Sequence, residues 1–128
     1  MSVRAAAQHW ADVWKEAWPR GDVGRVSDLY AAGAILHLLP FREHRPPREY
    51  VTEAFDDQAE AVCRFGSPIV DGDRAAVDWW GVITSRDGSV ESIAGTSLLR
   101  FGDDGSVVEQ RDAWESVPGH RELPGWAS

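Results

Sequence analysis

The chain has 128 residues, the length of one domain spanning 1–128, and that is enough to bury a core without disulfides or metals. Asp and Glu outnumber Lys and Arg by 21 to 13, and no basic stretch interrupts the resulting charge of -8, so nucleic acid and anionic membranes are set aside as partners. The single cysteine, Cys63, permits no internal disulfide and suits a reducing compartment. With a polar, amphipathic start and no apolar run near the roughly 20 residues of a membrane span, the cytoplasm is the expected location.

Val3, Ala6, Ala7, Trp10, Trp14, Ala17 and Trp18 recur at spacings of three and four, which predicts an amphipathic first helix that ends at Pro19-Arg20-Gly21. Asp22 stands at an N-cap position, and Val23, Val26, Leu29 and Tyr30 mark a short second helix with Gly33 at its C-terminal turn. Residues 34–39 read as a short buried strand carrying His37. A Pro-containing loop over 40–47 leads into a third helix, with Tyr50, Val51, Ala54 and Phe55 on its apolar side.

From about residue 59 the pattern changes to strands. Asp71-Gly72-Asp73, Asp87-Gly88 and Asp103-Asp104-Gly105 punctuate the apolar runs 74–85, 89–101 and 106–116, as hairpin turns do. Leu123 and Trp126 lie in an irregular tail. Three helices followed by long hairpins predict an α+β fold, a cone-shaped, curved antiparallel (mixed) sheet wrapped by the helices around a pocket. Seven tryptophans fit either a Trp-rich core or aromatic pocket walls.

The order of these segments resembles the nuclear transport factor 2-like superfamily, which includes ketosteroid isomerases, limonene-type epoxide hydrolases and SnoaL-like polyketide cyclases. Arg20-Gly21-Asp22, Leu29-Tyr30, Pro40-Phe41, Asp71-Gly72-Asp73-Arg74, Leu99-Arg100-Phe101 and Arg111-Asp112-Ala113-Trp114 carry the resemblance along most of the chain. It implies that Asp112 points into the cone and that Asp78 matches a second pocket carboxylate. Strand alternation then places Ala76, Asp78, Trp80 and Val82 inside and Val77, Trp79 and Ile83 outside.

The expected pocket therefore holds Trp14, Tyr30, His37, Asp78, Trp80, Ser97, Asp112 and Trp114. Asp112, Asp78 and His37 are the candidate acid–base residues, since burial beside indoles separates carboxyl pKa values and a histidine titrates near neutrality. Trp14, Tyr30, Trp80, Ser97 and Trp114 are the candidate ligand contacts. Each has a structural alternative: a carboxylate capping backbone amides, a satisfied core histidine, a packed indole.

Departures from the family patterns limit what carries over. Ala76 stands where the epoxide hydrolases place an arginine, Leu39 where the ketosteroid isomerases place their base, Ser97 where they place a proton-donating acid, and Trp14 where they place a tyrosine. Neither chemistry transfers whole. No histidine, cysteine or carboxylate spacing suggests a metal, and no phosphate loop suggests a cofactor.

The expected function is binding of a small, apolar, ring-containing molecule, with cofactor-free isomerisation, cyclisation, dehydration or hydrolysis if the protein is an enzyme. A non-catalytic carrier or sensor and a protein-interaction module are the alternatives. A homodimer through the outer sheet face at Val77, Trp79 and Ile83 is also expected, unless Leu123 and Trp126 fold back over that face.

Overall fold

The computed structural model describes residues 1–122. The elements are α1 (Val3–Arg20), α2 (Val23–Ser27), β1 (Tyr30–His37), α3 (Pro47–Asp57), β2 (Gln58–Phe65), β3 (Ile69–Asp71), β4 (Arg74–Ser85), β5 (Val90–Phe101) and β6 (Val107–Pro118). The strands form one open sheet in the order β1-β6-β5-β4-β2, with β3 also paired to β4. β1 runs parallel to β6, and the other pairings are antiparallel, so the α+β class with a mixed sheet under helices is as expected.

α1 starts where the Ser2 hydroxyl accepts the Ala5 amide at 3.0 Å, and it ends at Gly21, whose φ of 64° lets the chain turn away. Spacings of four put Trp10, Trp14 and Trp18 on one stripe, with successive ring centroids 6.1 and 6.0 Å apart. That stripe packs on β2 and the middle of the sheet, where Trp10 and Trp18 meet Phe65 and Trp18 meets Trp79. These contacts, with Val26, Val51, Val77, Leu99 and Val107, make the core.

Asp22 caps α2 by accepting the Arg25 amide at 3.1 Å. The helix is shorter than its apolar stripe suggests: it ends at Ser27, and Tyr30 already belongs to β1. Gly33 is no helix terminus. Its φ of 76° serves a bulge in β1, where the register with β6 shifts between Tyr30 and Ile35.

The expected faces of β4 are inverted. Ala75, Val77 and Trp79 point under the helices, with Val77 fully buried, and Ile83 packs against the same core. Asp78 is exposed on the opposite face, where its Oδ1 accepts the Thr96 hydroxyl at 2.7 Å. Alternation failed as a guide because β4 is apolar on both faces.

Trp80 and Val82 are buried on the outer side, where the chain leaves β6 and folds back. The Trp80 indole donates to the Arg121 carbonyl at 2.8 Å. Ser92 donates to the Gly119 carbonyl and accepts the Arg121 amide, both at 2.7 Å. Val77, Trp79 and Ile83 therefore pack beneath the helices and form no patch on the outer face, which corrects the expected homodimer surface at these residues. Leu123 and Trp126, the alternative cover, lie outside the described residues.

Candidate functional site

Cross-strand partners share a face, and the registers of β4, β5 and β6 build three rows beneath the helices. Ala75, Leu99 and Gln110 form one; Val77, Ser97 and Asp112 the next; Trp79, Gly95 and Trp114 the third. Glycine is required in the last row. A side-chain carbon at Gly95 would sit 2.5 Å from the Trp114 Cβ, so its absence lets Trp114 lie against β5.

Asp112 is the charged residue of this face, and two hydrogen-bonded paths converge on it. Along β5, the Trp79 indole donates to the Ser97 hydroxyl at 3.0 Å, and Ser97 donates to Asp112 Oδ1 at 2.6 Å. From the helix side, the indoles of Trp10 and Trp14 donate to the Tyr30 hydroxyl at 3.2 and 3.3 Å. Tyr30 donates to Gln110 Oε1 at 2.5 Å, and Gln110 Nε2 donates to Asp112 Oδ1 at 3.0 Å and Oδ2 at 3.2 Å. Ser97 and Gln110 are themselves buried. Oδ1 thus receives two good hydrogen bonds and Oδ2 one long one, which leaves Oδ2 as the oxygen with room for a proton.

Burial pushes the Asp112 carboxyl up to about 6, against the opposing pull of the Ser97 and Gln110 hydrogen bonds. Two phenols share its field. Burial raises Tyr30 above the ordinary tyrosine range, and the Asp112 charge adds to that rise. Tyr50 of α3 is pushed up to about 12, again by burial first and the Asp112 charge next, with Arg42 and Arg45 pulling the other way. Both phenols therefore stay protonated near neutral pH. Arg42 also places its guanidinium 5.8 Å from the centre of the Trp114 ring.

Of the residues expected in the pocket, Asp112, Ser97, Tyr30, Trp14 and Trp114 come together on this face. Asp78, Trp80 and His37 do not. His37 follows Leu36, which pairs with Gln110, so the histidine turns to the outer face. There its Nε2 lies 3.6 Å from Glu109 Oε2, beside Arg100 and Arg111 on the same carboxylate, with the His44 ring 6.0 Å away. Ala76, matched by resemblance to a pocket arginine, also lies on the outer face beside Asp78.

Sequence reasoning missed Gln110, Tyr50, Trp10 and Trp79 as parts of the site. Gln110 had a legible signal, since it stands two residues before Asp112 and so shares its side of a strand. Tyr50 looked like one more apolar residue of α3, and Trp79 was turned outward by the inverted face.

A profile described as the SnoaL-like domain matches residues 7–110. A search of curated proteins finds no significant match. Among solved structures, the epoxide hydrolase/cyclase-like enzyme SalBIII, described for pyran ring formation in the polyether salinomycin, superposes with a TM-score of 0.74 at 18% identity, over 87% of this chain and 91% of that one. A hexachlorocyclohexane dehydrochlorinase, LinA type 2, gives 0.71 at 14% identity over 95% and 94% of the two chains. PrhC from Penicillium brasilianum gives 0.74 at 16% over 89% and 83%. At such identities these structures establish a shared fold, and the profile, which covers most of the chain, establishes the family: this protein belongs to the SnoaL-like domain family of the nuclear transport factor 2-like superfamily.

Proposed function

We propose that this protein binds a small, largely apolar, ring-containing molecule beneath its helices and moves a proton on it, with Asp112 as the acid–base group and no cofactor. The carrying observation is the state of one carboxyl. Asp112 is held near 6 by burial, Oδ1 is occupied by two donors, and Oδ2 is left to exchange a proton. Tyr50, protonated at working pH, supplies a neutral donor within the field of that charge. Trp14 and Trp114, both partly buried on this face, are the aromatic surfaces such a ligand would meet.

A single carboxylate suits reactions in which the proton removed is also the proton returned, or in which one transfer suffices: isomerisation, cyclisation or elimination. Hydrolysis usually divides the work between a separate acid and base, and Asp78 and His37 stand on the other face of the sheet. SalBIII and the dehydrochlorinase, which share the fold, are named for ring formation and elimination, in keeping with this reading. The lone Cys63, with its thiol pushed up to about 11 by burial, fits a structural residue in a reducing cytoplasm.

The carrier reading draws on one feature of the same site: both Asp112 oxygens are hydrogen-bonded without any ligand, so recognition alone would also account for them. Deuterium exchange separates the two. The protein is incubated in D2O with a panel of aromatic and alicyclic ketones, and label uptake at the carbon beside the carbonyl is read by mass spectrometry. Catalysis predicts uptake by the wild type and a loss of about 100-fold or more in Asp112→Asn. Equal uptake by both proteins, or binding without uptake, contradicts it.

A further inference from the structure

The network around Asp112 has a direction, and its outer members impose it. An indole N–H can donate and never accept, whereas a serine hydroxyl, a phenol and a primary amide can each be turned either way. Trp10 and Trp14 both donate to the Tyr30 oxygen and occupy its two acceptor sites. Tyr30 can then only donate, so the amide of Gln110 must turn its oxygen toward Tyr30 and its nitrogen toward Asp112. On the other side, Trp79 donates to Ser97, whose own proton goes to Asp112.

We propose that Trp10, Trp14 and Trp79 are positioning residues that fix the direction of every hydrogen bond running to Asp112, so that Gln110 and Ser97 present donors to its carboxylate. The proposal rests on the reading of Asp112 as the proton-carrying group and adds what holds it in its charged, donor-fed form. If one indole on Tyr30 is removed, an acceptor site opens there. Gln110 can then turn over, giving its N–H to Tyr30 and its oxygen to Asp112. An amide oxygen facing a carboxylate is repulsive; facing a carboxylic acid, it accepts a hydrogen bond from the acid O–H. The loss of a tryptophan N–H three bonds away thereby favours protonated Asp112. Tyr30 from β1 and Tyr50 from α3 are the other titratable groups coupled to this carboxyl, and both stay neutral throughout the relevant pH range.

The test is an NMR titration of the Asp112 side-chain carboxyl carbon in the full chain, without any ligand. Trp14→Phe keeps an aromatic ring in place and deletes the N–H donor together with part of the indole. It should move the Asp112 pKa upward by about 1 or more, and Trp10→Phe should do the same. Trp18→Phe is the control, because its N–H bonds to Gln58 at 3.2 Å and lies outside the network; it should leave the midpoint in place. Folded Trp14→Phe and Trp10→Phe variants with the wild-type midpoint would overturn the proposal.

If neither variant folds, the unaltered protein still decides. The Gln110 side-chain amide protons should show proximity to the Ser97 and Asp112 β-protons, and an amide turned toward the Tyr30 ring would contradict the assigned direction. Because no substrate is involved, a midpoint that moves as stated in a protein without deuterium-exchange activity would sink the catalytic reading and leave this one standing.

Discussion

Ser97 donates to Asp112 Oδ1 at 2.6 Å across the β5–β6 pairing, and this contact joins a buried serine to the charged group of the helix-covered face. Its effect runs both ways. Ser97 pulls the carboxyl down toward the ionised form, yet the burial that makes the contact possible pulls it up, and burial wins. The balance leaves a carboxyl that titrates within reach of neutral pH, at a measurable cost to stability.

The cost has a definite sign. Asp112 titrates near 6 in the folded chain and near 3.8 when unexposed to such burial, so the folded state binds the proton more tightly than the unfolded state does. Stability attributable to this group is fully present below the unfolded pKa and falls as the pH rises from about 4 to about 6, by at most about 3 kcal/mol. Asp112→Asn removes the titration. Urea unfolding at several pH values should show the variant lacking this decline and equalling or exceeding the wild type at pH 7. The exposed carboxylates Glu53, Asp87 and Asp104, held low by their hydrogen bonds, contribute the same slope to both proteins and cancel in the difference.

Trp79→Glu should prevent folding and not merely alter assembly. Trp79 is buried against Trp18, with its N–H on Ser97, so the substitution places an unpaired charge in the core and strips Ser97 of its donor. A loss of about 4 kcal/mol or more is expected, visible as a lost cooperative transition by circular dichroism. A stable, folded variant would mean that Trp79 faces outward after all.

Asp78→Asn should leave stability within about 0.5 kcal/mol and leave deuterium exchange unchanged. The side chain is exposed, its one described hydrogen bond is from Thr96, and the sheet separates it from Asp112. Loss of exchange in this variant would restore the two-carboxylate site.

Gly95→Ala should destabilise by about 1–3 kcal/mol and disturb the site by pushing Trp114 off the sheet. The added carbon overlaps the Ala113 carbonyl as well as the Trp114 Cβ, and backbone on a central strand has little room to yield. Thermal unfolding and the near-ultraviolet signal of the tryptophans report the two effects.

The fold was legible because its signals are local and redundant. The tryptophan stripe of α1, the Asp22 cap and the Asp-Gly turns each act over a few residues. The site was legible in part. Asp112 and Trp114 were placed on the correct face of β6 by resemblance, and Ser97, Tyr30 and Trp14 came with them. The face of β4 was not legible, since Ala75, Val77 and Trp79 on one side and Ala76, Trp80 and Val82 on the other are equally apolar. Trp80 is held on that side by the chain beyond β6, where the Arg121 carbonyl accepts its indole N–H, a contact between distant residues that alternation does not encode. Only the exposed Arg74 and Asp78 marked the outer side. His37 fell on the outer face because the pairing of β1 with β6 shifts between Tyr30 and Ile35, around the positive-φ Gly33, and a shift by an odd number of residues reverses every side chain beyond it.

Whether the Asp112 carboxyl is raised to about 6 is read directly by the carbon-13 titration of that carboxyl in the wild-type protein, with the resonance assigned by its disappearance in Asp112→Asn. A midpoint near 6 is the predicted result. A midpoint at the ordinary aspartate value near 4 would show a carboxylate held ionised for structure alone and would contradict the account.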